Sequence, residues 1–317
     1  MPLSTIDTSS ISGLGYGFKN RIINGGMGIS QRGTSFTLSA GVTTYTLDRW
    51  YVNTTGGAGV VTQTGSVGSY GMRITGASGV SSGFFGQKIE SNNIADCASS
   101  TVTYKIRASS SVLTSLAWYA RFPTAQDNYA GVTAISNGTI TINSTPTDYT
   151  FQIALPSGVT NGFELYFTFG AFTSGTLDIT GVQLEKGTVA TSFDWRPYGT
   201  ELALCQRYLP VISYAGGANP YFGAGMAFGT TSAYYTVAFP ITPRVPPTGL
   251  TVSSASHFAG FLASTATSNA TGVVFSGANN HSAFVQLTGM SGLVGGNASL
   301  IYMNNSAAQL QFTGCEL

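Results

Sequence analysis

A chain of 317 residues is long enough for one large or two ordinary domains, each able to bury a core. Only 8% of it is charged and the formal net charge is +1, so it lacks the field that steers proteins to nucleic acid or anionic membranes. The 41 glycines would suit a low-complexity chain, but 19 Phe, 16 Tyr and 3 Trp are what a disordered chain lacks. The chain therefore folds, behind a surface wetted by hydroxyls and amides. A near-neutral surface of that kind associates readily, so much of it is expected to be covered by identical subunits or by a scaffold.

Residues 1–19 (MPLSTIDTSSISGLGYGFK) are small, polar and glycine-rich, without the basic start and apolar stretch of a signal peptide. They are expected to anchor the chain on another protein. No apolar run reaches the ~18 residues that cross a bilayer, and no membrane insertion is expected. Cys97, Cys205 and Cys315 are isolated and odd in number, which offers no disulfide framework and suits assembly in a reducing cytoplasm.

From 20 to 198 the apolar pattern has period two, broken by turn residues. In TVTYKIR, Val102, Tyr104 and Ile106 share a face; in YTFQIAL, Tyr149, Phe151, Ile153 and Leu155 do. In FELYFTF, Phe163, Leu165, Phe167 and Phe169 lie on one side and Glu164, Tyr166 and Thr168 on the other. Alternation of this kind marks half-buried antiparallel strands, and runs such as STPTD (144–148) and PSGVTNG (156–162) are turn chemistry. About eight strands with no helix between them predict a jelly-roll-like β-sandwich.

One short helix is predicted over 199–210, with Thr200 as its cap, Leu202, Cys205 and Leu209 at helical spacing, and Pro210 as its stop. Beyond it strands resume at 233–239, 249–254, 272–275, 282–287, 298–303 and 309–313. The reading is all-β: an anchoring segment (1–19), a jelly roll (20–198), a helical linker (199–210) and a second antiparallel sandwich (211–317). Of the charged residues, 11 of 13 basic and 10 of 12 acidic ones precede position 200. The second sandwich therefore reads as an oligomer core or a glycan-facing surface.

Several stretches are familiar. NRIINGGMGISQRGTSFT (20–37) with YTLDRWY (45–51) resembles the opening of jelly-roll modules in phage tail fibre and virion appendage proteins. GVQLEKGTVATSFDWRPYGTELALCQRYL (181–209) is similar to their last strand and exit helix, modules related in fold to carbohydrate-binding modules. VAFPITPRVPPTGLTV (237–252) resembles the strand and Pro-rich turn of a following fibre domain. The resemblance implies a virion location, a homo-oligomer, expected as a trimer, a second virion protein held by the N-terminal segment, and attachment to host surface polysaccharide. A capsid decoration protein or head fibre would carry the same domains.

Candidate residues follow. Asp48, Arg49 and Trp50 suggest a buried ion pair under an aromatic lid, and Trp195, Arg196 and Tyr198 a cap on the open end of the sandwich; all are assigned structural roles. For glycan contact, SYAGGANPYFGAG (213–225) offers Tyr214, Tyr221 and Phe222 in a loop, and GANNHSA offers Asn279, Asn280 and His281 at a second tip. Subunit packing by Tyr221 and Phe222 is the plainer alternative. Catalysis is not expected. Glycoside hydrolysis needs two carboxylates ~5–9 Å apart, and the best pair, Asp178 and Glu185, includes a glutamate that reads as solvated beside Lys186. His257 and His281 lack metal-ligand spacing or a nearby acid, the GxG fragments lack phosphate-loop continuations, and no cofactor is called for.

Overall fold

The computed structural model describes residues 18–217, 219–262 and 265–317. The predicted anchor, apart from Phe18 and Lys19, lies outside the described residues. The chain forms two compact units, the first running to Tyr198 and the second spanning Gly199–Glu316. Both are antiparallel β-sandwiches.

The first unit contains β1 (Ser35–Thr37), β2 (Thr44–Tyr45), β3 (Tyr51–Thr55), β4 (Val60–Thr64), β5 (Gly71–Thr75) and β6 (Ser82–Ile89). It continues with β7 (Thr101–Ser110), β8 (Ser115–Ala125), β9 (Asn128–Thr141), β10 (Thr147–Ala154), β11 (Phe163–Phe169) and β12 (Thr176–Lys186). That is twelve strands where the pattern suggested about eight. The extra ones are short or interrupted by glycine and serine, so they show little alternation. They assemble into two six-stranded sheets, ordered β1-β4-β5-β12-β7-β10 and β2-β3-β6-β11-β8-β9.

Alternation decides what lies between the sheets. Val102, Tyr104 and Ile106 of β7 face Phe163, Leu165 and Phe167 of β11, all buried. Phe85 stacks on Phe167 with ring centroids 5.2 Å apart, and Tyr104 meets Phe167 across the layers at 5.8 Å. The two outer faces differ in chemistry. The first sheet is an ordinary wet surface of cross-strand ion pairs: Arg73 Nε lies 2.6 Å from Asp178, and Lys105 and Arg107 lie 2.9 and 3.1 Å from Asp148. The outer face of the second sheet is aromatic.

Helix α1 (Tyr198–Gln206) begins two residues before the predicted cap, so Thr200 sits inside its first turn, and it stops short of 210. The second unit adds β13 (Val211–Ser213), β14 (Tyr221–Ala227), β15 (Ser232–Ala238), β16 (Gly249–Val252) and β17 (Phe258–Leu262). It closes with β18 (Thr265–Asn269), β19 (Gly272–Ala278), β20 (Ser282–Thr288), β21 (Ala298–Met303) and β22 (Gln309–Thr313). A seven-stranded sheet, β18-β17-β21-β14-β15-β20-β19, packs one face against the three-stranded β13-β22-β16. Tyr235, Val237, Val285, Leu287 and Ile301 from the large sheet bury against Leu310 and Phe312 of β22. Strand β14 escapes the sequence pattern because Gly223 and Gly225 replace side chains. A Cβ on Gly225 would stand 1.8 Å from the Tyr234 carbonyl oxygen, so only glycine lets β14 approach β15 this closely.

Candidate functional site

The outward positions of the second sheet fall into one row across all six strands. Tyr45 of β2 pairs with Tyr51 of β3, Tyr51 with Gly86 of β6, and Gly86 with Tyr166 of β11. Tyr166 then pairs with Tyr119 of β8, and Tyr119 with Asn137 of β9. Period-two geometry makes this possible, because the inward partners on the same strands (Val52, Phe85, Leu165, Phe167, Trp118) anchor each register in the core.

The rings touch one another. Tyr119 and Tyr166 stack at 5.2 Å with planes 16° apart. Phe84, one row away, meets Tyr166 edge-on at 6.3 Å and Tyr51 at 6.1 Å, and Tyr51 meets Tyr45 at 6.0 Å. Gly86 makes room for the row. A Cβ there would fall 2.6 Å from both the Tyr51 hydroxyl and the Tyr166 Cβ. Tyr119 is the most open ring, at 38% exposure, and Asn137 and Thr139 stand exposed beside it.

Glu164 and Arg121 neutralise each other on this face. Glu164, only 1% exposed, accepts the Tyr51 hydroxyl at 2.6 Å and the Arg121 Nε–H. The Arg121 guanidinium lies 4.6 Å from the Tyr166 ring centroid, a cation–π contact. Burial first, then the Glu164 charge, holds the Tyr51 phenol well above its usual pKa. Burial, the largest single influence, pulls Arg121 down, but the hydrogen bond and charge of Glu164, with Tyr166 and Tyr51 beside it, together outweigh it and raise the guanidinium. Tyr129 closes one end: its hydroxyl donates toward the Ile89 and Phe163 carbonyls, and the Lys88 ammonium sits 4.9 Å from its ring.

Flat rings flanked by neutral amides and hydroxyls hold sugars well. The C–H face of a pyranose packs on a ring while its hydroxyls bond to groups such as Asn137 and Thr139. Glu164 is the sole carboxylate in the six strands, and it is buried and fully engaged, whereas glycoside hydrolysis uses a facing pair.

The residues singled out from sequence lie elsewhere. Asp48, Arg49 and Trp50 occupy the turn between β2 and β3, each 1% exposed. Asp48 accepts from the Gln31 backbone N–H at 2.8 Å, Arg49 donates to the Lys88 carbonyl at 2.6 Å, and the Trp50 indole donates to the Asn24 carbonyl at 3.0 Å. Trp195 is exposed and meets Phe193 edge-on at 4.7 Å. Arg196 stacks 5.2 Å from Phe18 and donates to the Ile22 carbonyl, while Tyr198, exposed, opens α1. Glu185 is not a solvated partner of Lys186. It is buried, accepting from the Thr191 N–H at 2.7 Å and the Gln183 side chain at 2.9 Å, while Asp178 is engaged by Arg73.

In the second unit Tyr221 and Phe222 are in strand β14, not in a loop. Alternation sends them to opposite sides: Phe222 packs on the core beside Phe258, and Tyr221 lies outward against Phe261 and Tyr302. Tyr214 donates to the Gly217 carbonyl. Asn279, Asn280 and His281 form the exposed β19–β20 hairpin tip, where the Asn279 side chain accepts the His281 and Ser282 N–H groups. Tyr221 and Phe222 therefore do not share a face, and Asn279, Asn280 and His281 belong to a hairpin tip. The aromatic row escaped the sequence because its members come from five separated strands. The one local signal was Tyr166 on the side of FELYFTF opposite the phenylalanines.

No protein-family model matches the sequence, and no curated protein matches it. Among solved structures the chain is similar to a CBM4 carbohydrate-binding module (16% identity, TM-score 0.36, covering 52% of this chain and 98% of the module). It is also similar to a family 22 carbohydrate-binding module of Clostridium thermocellum Xyn10B (14%, TM-score 0.32, 51% and 99%). A third likeness is to the enzymatically active domain of bacteriophage CBA120 tailspike protein 4 (18%, TM-score 0.35, 53% and 21%). At such identities and scores a likeness assigns nothing to this chain's residues.

Proposed function

We propose that the chain is a non-enzymatic structural protein of a bacteriophage virion, a tail fibre or similar appendage, whose first sandwich holds host-surface polysaccharide on its aromatic face. The row Tyr45–Tyr51–Gly86–Tyr166–Tyr119–Asn137 carries this reading. A sheet face that only needed solvent would resemble the ion-paired face of the other sheet. The face favours a neutral or weakly charged glycan, because Arg121 is already matched by Glu164. The virion setting is supported by the resemblances at 20–51, 181–209 and 237–252. In this reading residues 1–19 dock on another virion protein and the chain works as a homo-oligomer. Affinity electrophoresis through host surface polysaccharide tests the binding claim. Retardation of the wild type that Tyr119→Ala and Tyr166→Ala each relieve supports it; equal mobility with and without polysaccharide refutes it.

A further inference from the structure

The outer face of the seven-stranded sheet differs in kind from the aromatic row of the first unit. Tyr221, Met226, Phe228, Val274, Phe284 and Leu300 are each 40% or more exposed on it. They are contiguous: Met226 pairs with Tyr234, Phe228 meets Tyr234 edge-on at 5.6 Å, and Tyr234 stacks on Phe284 at 5.0 Å with planes 7° apart. Val274 joins the same row through Gln286, and Leu300 lies across Ala224 and Thr236 from Phe284. None of the ten strands of this unit contains Asp, Glu, Lys, Arg or His. An apolar patch of this extent marks an interface rather than an ordinary surface.

We propose that this face packs against the same face of another copy of this chain. Two observations choose that occupant. Seven strands of five to seven residues span about 30 by 20 Å, on the order of 600 Å² before side-chain relief is counted, close to the ~800 Å² per partner of a stable pair. A partner must also bring no charge to be buried without a counter-ion, and this chain owns a face that meets the requirement. Closed symmetry then places Ala224, on the central strand, near its own counterpart. The proposal is independent of glycan binding by the first unit.

Light scattering of the full chain over a wide concentration range should give the mass of a multimer, held as firmly at high salt as at low. Phe284→Asp and Val274→Asp should shift it to monomer and leave polysaccharide binding unchanged. Because those variants could lose their fold, Ala224→Cys gives a second readout. A short bismaleimide should link Ala224→Cys chains into pairs and leave the wild type, whose cysteines are all buried, unlinked. A wild-type monomer at every concentration overturns the proposal. So does a multimer that survives Phe284→Asp in folded protein, or one in which Ala224→Cys cannot be linked.

Discussion

With 1% of its surface exposed, the Glu164 carboxylate depends on two donors, Tyr51 and Arg121. Arg121→Ala leaves a buried charge unpaired and should lower the unfolding free energy by about 3 kcal/mol in urea titration, whereas Glu164→Gln should cost less. Tyr51→Phe removes one bond to a charged acceptor, worth about 2 kcal/mol. The phenols of Tyr51 and Tyr104 are both raised well above their usual pKa, first of all by burial. The neutral forms are favoured in the fold, so their stabilisation is complete below ~10, the ordinary phenol value, and fades as pH climbs toward the higher folded values. Alkaline titration should show phenolate absorbance from these rings appearing together with loss of structure, not before it. Asp148 runs the other way. Burial alone would raise its pKa, but the hydrogen bonds and charges of Lys105 and Arg107 win and lower it. Its contribution is present above ~3.9 and lost as pH falls through the lower folded value. The Asp148→Asn variant should therefore be slightly less stable than wild type at pH 7 and equal to it under strong acid, by well under ~1 kcal/mol for so exposed a pair.

Elements were legible where alternation was strong. FELYFTF separated Phe163, Leu165, Phe167 and Phe169 from Glu164, Tyr166 and Thr168, and β11 divides them that way between core and outer face. The pattern failed where glycine stands in for side chains, as in β14, and where a turn-rich stretch such as 213–225 ends in a strand. The aromatic row failed for another reason. It depends on which strands are neighbours and in which register, and neither follows from local periodicity. Glycine at 86 was a signal that sequence alone could not place: it reads as a weak strand position until Tyr51 and Tyr166 are seen to lean over it. Two substitutions test these roles. Gly225→Ala should force β14 from β15 and unfold the second unit at lower temperature while the first melts unchanged, as two calorimetric transitions would show. Gly86→Ala should leave most of the stability but displace Tyr51 and Tyr166, weakening polysaccharide retardation.

At the scale of the whole molecule, the all-β class with two antiparallel sandwiches was legible from composition and turn spacing, because period two and the near absence of helical spacing leave few other folds. What the chain presents to its surroundings was not. Sparse charge pointed to covered surfaces in general, but only the three-dimensional arrangement separates an aromatic face edged by amides in one unit from an uncharged face rich in exposed apolar side chains in the other. The two faces predict separable phenotypes, with Tyr119→Ala disturbing polysaccharide and Phe284→Asp disturbing self-association. The most direct test of the central claim is calorimetric titration of the full chain with purified host-surface oligosaccharide, wild type beside Tyr119→Ala. Binding should be saturable, little affected by salt, and weakened at least about tenfold in the variant by loss of a stacking ring. Wild-type affinity retained in a folded Tyr119→Ala, Tyr166→Ala double variant would contradict the claim.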